Sequence, residues 1–252
     1  MSDDHKHRAR IFVHRGDLIQ AKAAWEAAAA DDRLTGNQRE LANSLGNLGN
    51  VCALMNDFAA AEQCYRDVLT IQRHERDQHA IAHTLVNLGN LHIGADHPEK
   101  ARPFYLEALD LLRTLHDYRG LGILYNNLAL QEAREQEWEK ANASFAQAVD
   151  YHRMVGNEEG LAVSYSQMGK CFIDQGDLTK AERCLNNASE HYIKLGQEQA
   201  EAAVLRMLAS LYEQRRDFIS AKRCLERVIS IDQRYRLSDI TEDTRRLSTL
   251  NL

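Results

Sequence analysis

Apolar side chains recur along most of the chain with the spacing of one face of an α-helix. In residues 41–55 the apolar positions are three or four residues apart, as on one side of a helix: Leu41, Leu45, Leu48, Val51 or Cys52, and Met55. The polar pair Asn56-Asp57 interrupts this pattern, and a second stretch with helical spacing runs from about residue 58 to residue 73. The segment therefore predicts a helix, a tight turn and a second helix.

The same pattern returns every 40 residues. Alanine recurs at one position in six segments, and a large side chain follows it by four residues: Ala21 and Trp25, Ala61 and Tyr65, Ala101 and Tyr105, Ala141 and Phe145, Ala181 and Leu185, Ala221 and Leu225. A small residue precedes each alanine by twelve: Ala9, Gly49, Gly89, Ala129, Gly169 and Ala209. Small residues let two helices approach closely, and the large side chain fills the space that remains. This period predicts an array of stacked repeats.

Polar residues and glycines mark the ends of the predicted helices. Aspartate follows most breaks between the two helices of a segment, where its carboxylate can accept hydrogen bonds from the first backbone N–H groups. Gly156 and Gly196 stand where second helices end, in positions that favour a left-handed cap. The predicted units are about 1–36, 37–76, 77–116, 117–156, 157–196 and 197–236. Residues 237–252, beginning near Ser238-Asp239, predict a shorter capping helix with one apolar face: Ile240, Thr244, Leu247 and Leu250.

Composition and charge narrow the classes of function. The net charge is −6, and no run of five or six like charges occurs, which argues against binding to nucleic acid or to an anionic membrane. No apolar run is long enough to span a bilayer and the first residues lack a signal core, so we expect a cytoplasmic protein. The five cysteines form no C-x-x-C pair and are expected to be reduced thiols in or near the core.

The residues of the repeat resemble the tetratricopeptide repeat (TPR) family. Leu48-Gly49, Ala61 and Tyr65 have the spacing of the Leu-Gly, Ala and Phe/Tyr signature positions. Further residues stand where that motif has its leading tryptophan: Leu45, Leu85, Tyr125, Tyr165 and Leu205. Two departures are the period of 40 rather than about 34 residues and the missing repeat-ending proline. Both are similar to TPR arrays of bacterial signalling proteins and of kinesin-light-chain-type adaptors.

This resemblance implies the fold and the binding face. The fold would be all-α: a right-handed superhelical α-solenoid of about six helix-turn-helix units plus the capping helix. The first helix of each pair would line a concave groove that holds a partner protein or peptide. Seven asparagines would then form an amide ladder that bonds the main chain of the ligand: Asn43, Asn47, Asn50, Asn87, Asn90, Asn126 and Asn127. Three cations would select acidic or polar side chains: Arg134, Lys170 and Arg206.

Two alternatives to the amide ladder can be weighed from the residues. The asparagines could instead bond each other and the loops between helices. A carboxylate clamp, the TPR arrangement that grips a C-terminal carboxylate, would need basic residues where this chain has Gly46, Ile123 and Asn127. Without cations such a site lacks charge-assisted hydrogen bonds, so we reject the clamp.

Signals of catalysis or metal binding are weak. His79 and His83 have the i, i+4 spacing of metal ligands, but no H-E-x-x-H motif is present. A phosphate-binding glycine loop and the G-x-S-x-G motif are also missing from the sequence. We therefore expect no enzyme activity, no catalytic residues, no metal site and no cofactor.

Three hypotheses of function follow. The first is a non-catalytic protein–protein interaction module, acting as adaptor, scaffold or regulatory subunit, that binds an extended or helical segment of a partner. The alternative is a signal receptor for a peptide or small molecule that acts through a separate output subunit. The third is self-assembly into a homo-oligomer through the first repeat or the terminal helix.

Overall fold

A computed structural model describes residues 2–235 and 240–250. These residues form thirteen α-helices and no β-strand. In chain order the helices are α1 Ser2–His14, α2 Leu18–Thr35, α3 Gln38–Leu54, α4 Phe58–Glu75, α5 Gln78–Gly94, α6 Pro98–Thr114, α7 Tyr118–Arg134, α8 Trp138–Met154, α9 Glu158–Asp174, α10 Leu178–Leu195, α11 Glu198–Gln214, α12 Phe218–Tyr235 and α13 Ile240–Thr249. The predicted all-α class is confirmed.

Consecutive helices pack against each other within two compact units, Met1–Gly120 and Leu121–Leu252. One helix pair falls inside each of the six predicted repeat segments. The short turns between the helices make neighbouring helices antiparallel. The division of the chain into a repeat array at 1–236 and a terminal cap remains a prediction.

The repeated small and large residues form the core, as the sequence predicts. All six alanines that recur from Ala21 are fully buried, and the six large side chains that follow them are at most 4% exposed. The small residue sixteen positions before the large one lies against it: a β-carbon at Gly49 would stand 2.8 Å from a ring carbon of Tyr65, and the same close contact joins Gly89 to Tyr105 and Gly169 to Leu185. The two helices of these pairs are therefore held together by the contact of a small residue with a large one.

Every turn between the first twelve helices contains one residue in the left-handed conformation, and these residues are 20 positions apart. They have φ between 53° and 79°: Gly16, Gly36, Asn56, Arg76, Asp96, His116, Gln136, Gly156, Gly176, Gly196 and Arg216. Gly156 and Gly196 are among them, as predicted. The residue after each of these is the N-cap of the following helix. In eight of the eleven turns its side chain accepts a hydrogen bond from the backbone N–H three residues on: Asp17, Asn37, Asp57, Asp77, Asp117, Asn157, Asp177 and Asp217. Helix and turn thus form a half-repeat of 20 residues.

We expect opposite effects when glutamine and glycine are exchanged at equivalent turns. Gln136 and Gly176 occupy the same position in the turns before α8 and α10, with φ of 60° and 79°. A side chain raises the energy of the left-handed conformation, so Gln136→Gly should stabilise the fold by about 0.5–1 kcal/mol, after the entropy that glycine adds to the unfolded chain. Gly176→Gln should destabilise it by a similar amount, since a β-carbon there meets nothing within 4 Å and only the backbone is strained. Urea unfolding midpoints test both; equal midpoints would contradict the strain argument.

The terminal helix α13 begins at Ile240, while Ser238 and Asp239 lie outside the described residues. Of its predicted apolar face, Ile240, Leu247 and Leu250 are half-buried and Thr244 is exposed. The deepest side chain of α13 is instead Asp243, at 2% exposure. Charged contacts therefore contribute a large part of the packing of this helix.

Candidate functional site

The unit Met1–Gly120 contains an open cleft of about 430 Å³ between α3, α4 and α5, which we call cleft 1. Three of the predicted ladder asparagines line it, together with apolar side chains: Asn50, Ala53, Leu54, Asn56, Phe58, Tyr65, Asn87, Asn90, Leu91 and Gly94. Leu54 is 61% exposed although it is a large apolar residue. Cleft 1 therefore combines amide groups with accessible apolar surface.

Two tyrosines hold the amides of the cleft in place. The Tyr65 hydroxyl donates to Asn50 Oδ1 at 2.7 Å, and the Tyr105 hydroxyl donates to Asn90 Oδ1 at 2.6 Å. Burial raises the pKa of Tyr65 to about 12, so its hydroxyl remains protonated and able to donate near neutral pH. Each amide oxygen thus accepts one hydrogen bond from a tyrosine, which orients the side chain and leaves its Nδ2 group as a donor for a ligand carbonyl.

The other ladder residues of this unit differ in their surroundings. Asn87 is half-buried in cleft 1, and its side chain makes no hydrogen bond to the described residues. Asn43 and Asn47 are exposed, and Asn47 Nδ2 donates to the backbone oxygen of Asn43 at 2.8 Å. The structure therefore brings Asn50, Asn87 and Asn90 together in cleft 1, and places Asn43 and Asn47 outside its lining.

In the unit Leu121–Leu252 the predicted amides are less accessible. Asn126 is only 6% exposed, and its Nδ2 donates to Gln167 Oε1. Its Oδ1 is buried and meets no hydrogen-bond donor among the described residues. Asn127 is half-buried. Contact of these two amides with a ligand remains a prediction.

The three predicted cations divide into two kinds. Arg134 and Lys170 are exposed and form no ion pair with any described residue. Arg206 is half-buried: its Nη2 lies 2.6 Å from Asp232 Oδ2 and its Nε lies 2.8 Å from Asp243 Oδ2. Burial opposes the charge of Arg206, but hydrogen bonds from its guanidinium to Asp243 and Asp232 outweigh burial and raise its pKa. Arg206 therefore has intramolecular partners, and its role in ligand selection remains a prediction.

Four residues of the site were not predicted as such: the tyrosines Tyr65 and Tyr105 as partners of the amides, and Leu54 and Phe58 as apolar lining. A signal for the tyrosines is present in the repeats. Only the segments with asparagine at positions 50 and 90 have tyrosine fifteen residues later; the equivalent pairs elsewhere are Arg10 with Trp25, Leu130 with Phe145, Lys170 with Leu185, and Ser210 with Leu225.

The described residues contain no group of three or more His, Cys, Asp or Glu side chains arranged to hold a metal ion. His79 Nδ1 and His83 Nε2 lie 3.6 and 3.2 Å from Asp117 Oδ2. All five cysteines are unpaired, and burial raises the pKa of Cys64 to about 11, which leaves its thiol unreactive. None of the described helices has the length and apolar character that crossing a membrane requires.

Antiparallel helix pairs with a 40-residue period and an interlocking small–large contact define a helical-repeat protein. The chain belongs to the tetratricopeptide repeat family, whose model matches residues 5–74, 120–194 and 160–234. This match confirms the resemblance found in the repeat positions. A comparison with curated proteins finds no significant match.

Solved structures of TPR proteins are similar to this chain at low sequence identity. BtubC (BKLC) from P. vanneervenii is 20% identical with a TM-score of 0.75, and the match covers 87% of this chain and 92% of that one. A signal transduction ATPase with numerous domains from Pyrococcus horikoshii, which has a TPR sensor, is 14% identical with a TM-score of 0.75; coverage is 96% and 37%. Rap protein complexed with Competence and Sporulation Factor is 14% identical with a TM-score of 0.70; coverage is 98% and 74%. These similarities confirm the predicted α-solenoid fold.

Proposed function

We propose that this chain is a non-catalytic protein-binding module that holds an extended segment of a partner protein in cleft 1. The observation that carries the proposal is the lining of the cleft, in which Asn50, Asn87 and Asn90 stand beside the apolar side chains of Leu54 and Phe58. An extended peptide presents main-chain amides and carbonyls along its length and side chains to alternate sides. Amide side chains can bond its main chain, and an apolar cleft can take one of its side chains.

The two amides that tyrosines hold in place lower the entropy cost of binding a ligand. Because Tyr65 and Tyr105 already hold the Asn50 and Asn90 side chains, less rotamer freedom is lost when a ligand binds. Asn87, which also lines the cleft, supplies both a donor and an acceptor. In the other unit, the exposed Arg134 and Lys170 are candidates for separate contacts to acidic or polar side chains of a partner.

Replacing Asn87 and Asn90 together by alanine should weaken partner binding about 30-fold. Each lost hydrogen bond contributes about 1 kcal/mol, and two correspond to this factor. The partner is first captured with the immobilised full-length chain and identified by mass spectrometry. Its binding segment is then synthesised and titrated by calorimetry into the wild-type protein and the double variant.

The matched control is Asn43→Ala with Asn47→Ala, which removes two exposed asparagines of α3 outside the cleft lining. The control should leave affinity within about twofold of wild type, and both double variants should keep the wild-type circular dichroism. Equal affinity of the cleft variant and the wild type would overturn the role of cleft 1. Equal losses in both variants would show a binding site that extends along α3 rather than one centred on the cleft.

A signal receptor is the second candidate, and two of the similar structures favour it. One of those proteins has a TPR sensor, and the other is complexed with Competence and Sporulation Factor. In that case cleft 1 would bind a short free peptide and the chain would act through a separate output subunit. Capture with the immobilised chain and calorimetry with short peptides together separate the two candidates: an interaction module retains an intact protein whose own segment binds in cleft 1, whereas a receptor retains no such protein and binds a short free peptide.

A further inference from the structure

The unit Leu121–Leu252 contains a second cleft of about 260 Å³, which we call cleft 2. Six of its lining residues stand 120 positions, or three repeats, after lining residues of cleft 1. They are Ile173, Leu178, Met207, Ser210, Leu211 and Gln214. Leu178 takes the place of Phe58, and Ser210 takes the place of Asn90. Cleft 2 is thus the same site of the repeat, built from α9, α10 and α11.

Unlike cleft 1, cleft 2 is lined in part by the chain's own terminal helix. Arg246 of α13 is a lining residue, and its Nη2 donates to Ser210 Oγ at 3.0 Å. The same guanidinium donates to both carboxylate oxygens of Glu213, from Nε at 3.3 Å and from Nη2 at 3.0 Å. Arg246 of α13 therefore donates a hydrogen bond to Ser210, which occupies the repeat position of Asn90 in cleft 1.

The way α13 is held differs from that of the other helices. None of its described apolar side chains is fully buried, and its one buried side chain is Asp243, which pairs with Arg206 at 2.8 Å. Arg246 and Glu213 are 22% and 29% exposed, so solvent partly screens the contact between them, and such an ion pair contributes modestly and weakens as salt is added. The carboxylate of Asp243 is only 3% exposed, so its pair with Arg206 is screened less. The helix packs against α12, and its contact with cleft 2 through Arg246 is one that a competing ligand can replace.

We propose that cleft 2 is a second ligand site and that α13 occupies it as an internal ligand. The external ligand that displaces α13 would be a helical segment that presents an arginine or lysine to Glu213 and Ser210, as Arg246 does. This inference rests on the proposed function, because it takes the repeat position of cleft 1 as a ligand site. Binding at cleft 2 then requires release of α13, whereas cleft 1 remains open.

Hydrogen exchange of the full-length chain tests the release of α13. Arg246→Ala removes the contacts to Ser210 and Glu213, and we expect the amides of residues 243–249 to exchange at least tenfold faster than in wild type. Arg245→Ala is the matched control, because Arg245 is 73% exposed and, among the described residues, forms an ion pair with Glu242 of its own helix alone. The control should exchange at the wild-type rate within about twofold. Added salt at 0.5 M should accelerate exchange in the wild type and little in Arg246→Ala.

A synthetic peptide of residues 240–250 tests whether cleft 2 binds a ligand. It should bind the full-length Arg246→Ala variant at least tenfold more tightly than wild type, whose site is occupied, and a peptide with alanine at position 246 should not bind. Unchanged exchange in Arg246→Ala would overturn the proposal. Faster exchange without peptide binding would also overturn it, because α13 would then be a structural cap only. Cleft 1 is untouched by Arg246→Ala, so adding Asn87→Ala and Asn90→Ala to that variant should leave its affinity for the peptide unchanged, which separates failure at cleft 2 from failure of the proposed function.

Discussion

Gly89→Ala is expected to destabilise the unit Met1–Gly120 by about 1–3 kcal/mol. A β-carbon at position 89 would stand 2.2 Å from Cε1 of Tyr105 and 2.5 Å from Cδ1, distances at which the ring must move. Tyr105 is 2% exposed and its hydroxyl is bonded to Asn90, so the ring has little room. Overpacking of this kind costs about 1–3 kcal/mol, and loss of the hydrogen bond adds about 1 kcal/mol, while the gain in helix propensity offsets about 1 kcal/mol.

Gly46→Ala is the control for this substitution. Gly46 lies in the interior of α3, and a β-carbon there meets nothing within 4 Å. The same chemical change should therefore stabilise the unit by about 0.5–1 kcal/mol. Urea unfolding measures both variants, and changes of the same sign would contradict the account of the Gly89 contact.

A second substitution should rescue Gly89→Ala in part. At the positions 40 residues after Gly89 and Tyr105 the chain has Ala129 and Phe145, an alanine against a ring without a hydroxyl, and both are fully buried. The Tyr105→Phe change removes the hydroxyl that ties the ring to Asn90, so the ring can shift away from the new methyl group. We expect Gly89→Ala with Tyr105→Phe to regain about 1 kcal/mol relative to Gly89→Ala alone, a coupling that a double-mutant cycle measures.

Lys6→Val is expected to destabilise the first repeat by about 3 kcal/mol, because it leaves a buried carboxylate without its cation. Lys6 Nζ lies 3.1 Å from Asp32 Oδ2 and 2.6 Å from Glu40 Oε2. Asp32 is 3% exposed and also accepts hydrogen bonds from the hydroxyls of Ser2 and Ser44, at 2.6 and 2.7 Å. Unfolding in urea, together with hydrogen exchange in α1 and α2, measures the loss at the end of the array.

The chain itself suggests the control for Lys6→Val. At the same two repeat positions the third repeat has Val86 and Leu112, which are 4% and 0% exposed. The double variant Lys6→Val with Asp32→Leu should therefore recover most of the stability, since a well-packed apolar pair can replace a buried ion pair. A double variant less stable than Lys6→Val alone would contradict this account.

The effect of Lys6→Val should also depend on pH. Burial raises the pKa of Asp32, but hydrogen bonds from Ser2, Ser44 and Lys6 outweigh burial and lower it, so its stabilising contribution in wild type persists until strongly acidic pH. Without Lys6 the carboxylate loses one of these groups, and its pKa should rise. A raised pKa favours the folded state as pH falls, so the destabilisation should be smaller at pH 4 than at pH 7. Equal losses at both pH values would contradict a buried charge as the cause.

The core and the paired helices follow directly from side-chain size. The alanine at positions 21 to 221, the large residue four positions later and the small residue twelve positions earlier recur in every repeat, so their contacts could be predicted from one repeat alone. The helix starts at Asn37, Asp77, Asp117 and Asn157 were not predicted as caps. Capping side chains recur every 20 residues when the caps of both helices of each pair are counted. This period is visible only when the two helices of a pair are aligned with each other.

Polar partners were harder to predict because they depend on pairs of positions that vary together among repeats. A cation at positions 6 and 206 accompanies aspartate at positions 32 and 232, and the four repeats between them have neither. The structure shows these pairs as Lys6 with Asp32 and Arg206 with Asp232. Tyr65 and Tyr105 likewise accompany Asn50 and Asn90. Residues chosen from one repeat as lying on the binding face therefore include amides and cations that bond within the chain. The number available to a ligand is smaller than the sequence alone suggests.

Site-specific photo-crosslinking tests most directly whether cleft 1 binds a partner protein. A photoreactive amino acid replaces Leu54, which lines cleft 1 and is 61% exposed, or Leu106 of α6, which is 53% exposed and outside that lining. Each full-length protein is irradiated in a lysate of its source organism. We predict a discrete crosslinked partner from position 54, absent from position 106, that disappears when Asn87 and Asn90 are replaced by alanine. The same products from both positions, or a product from position 54 that survives the asparagine replacements, would contradict the account.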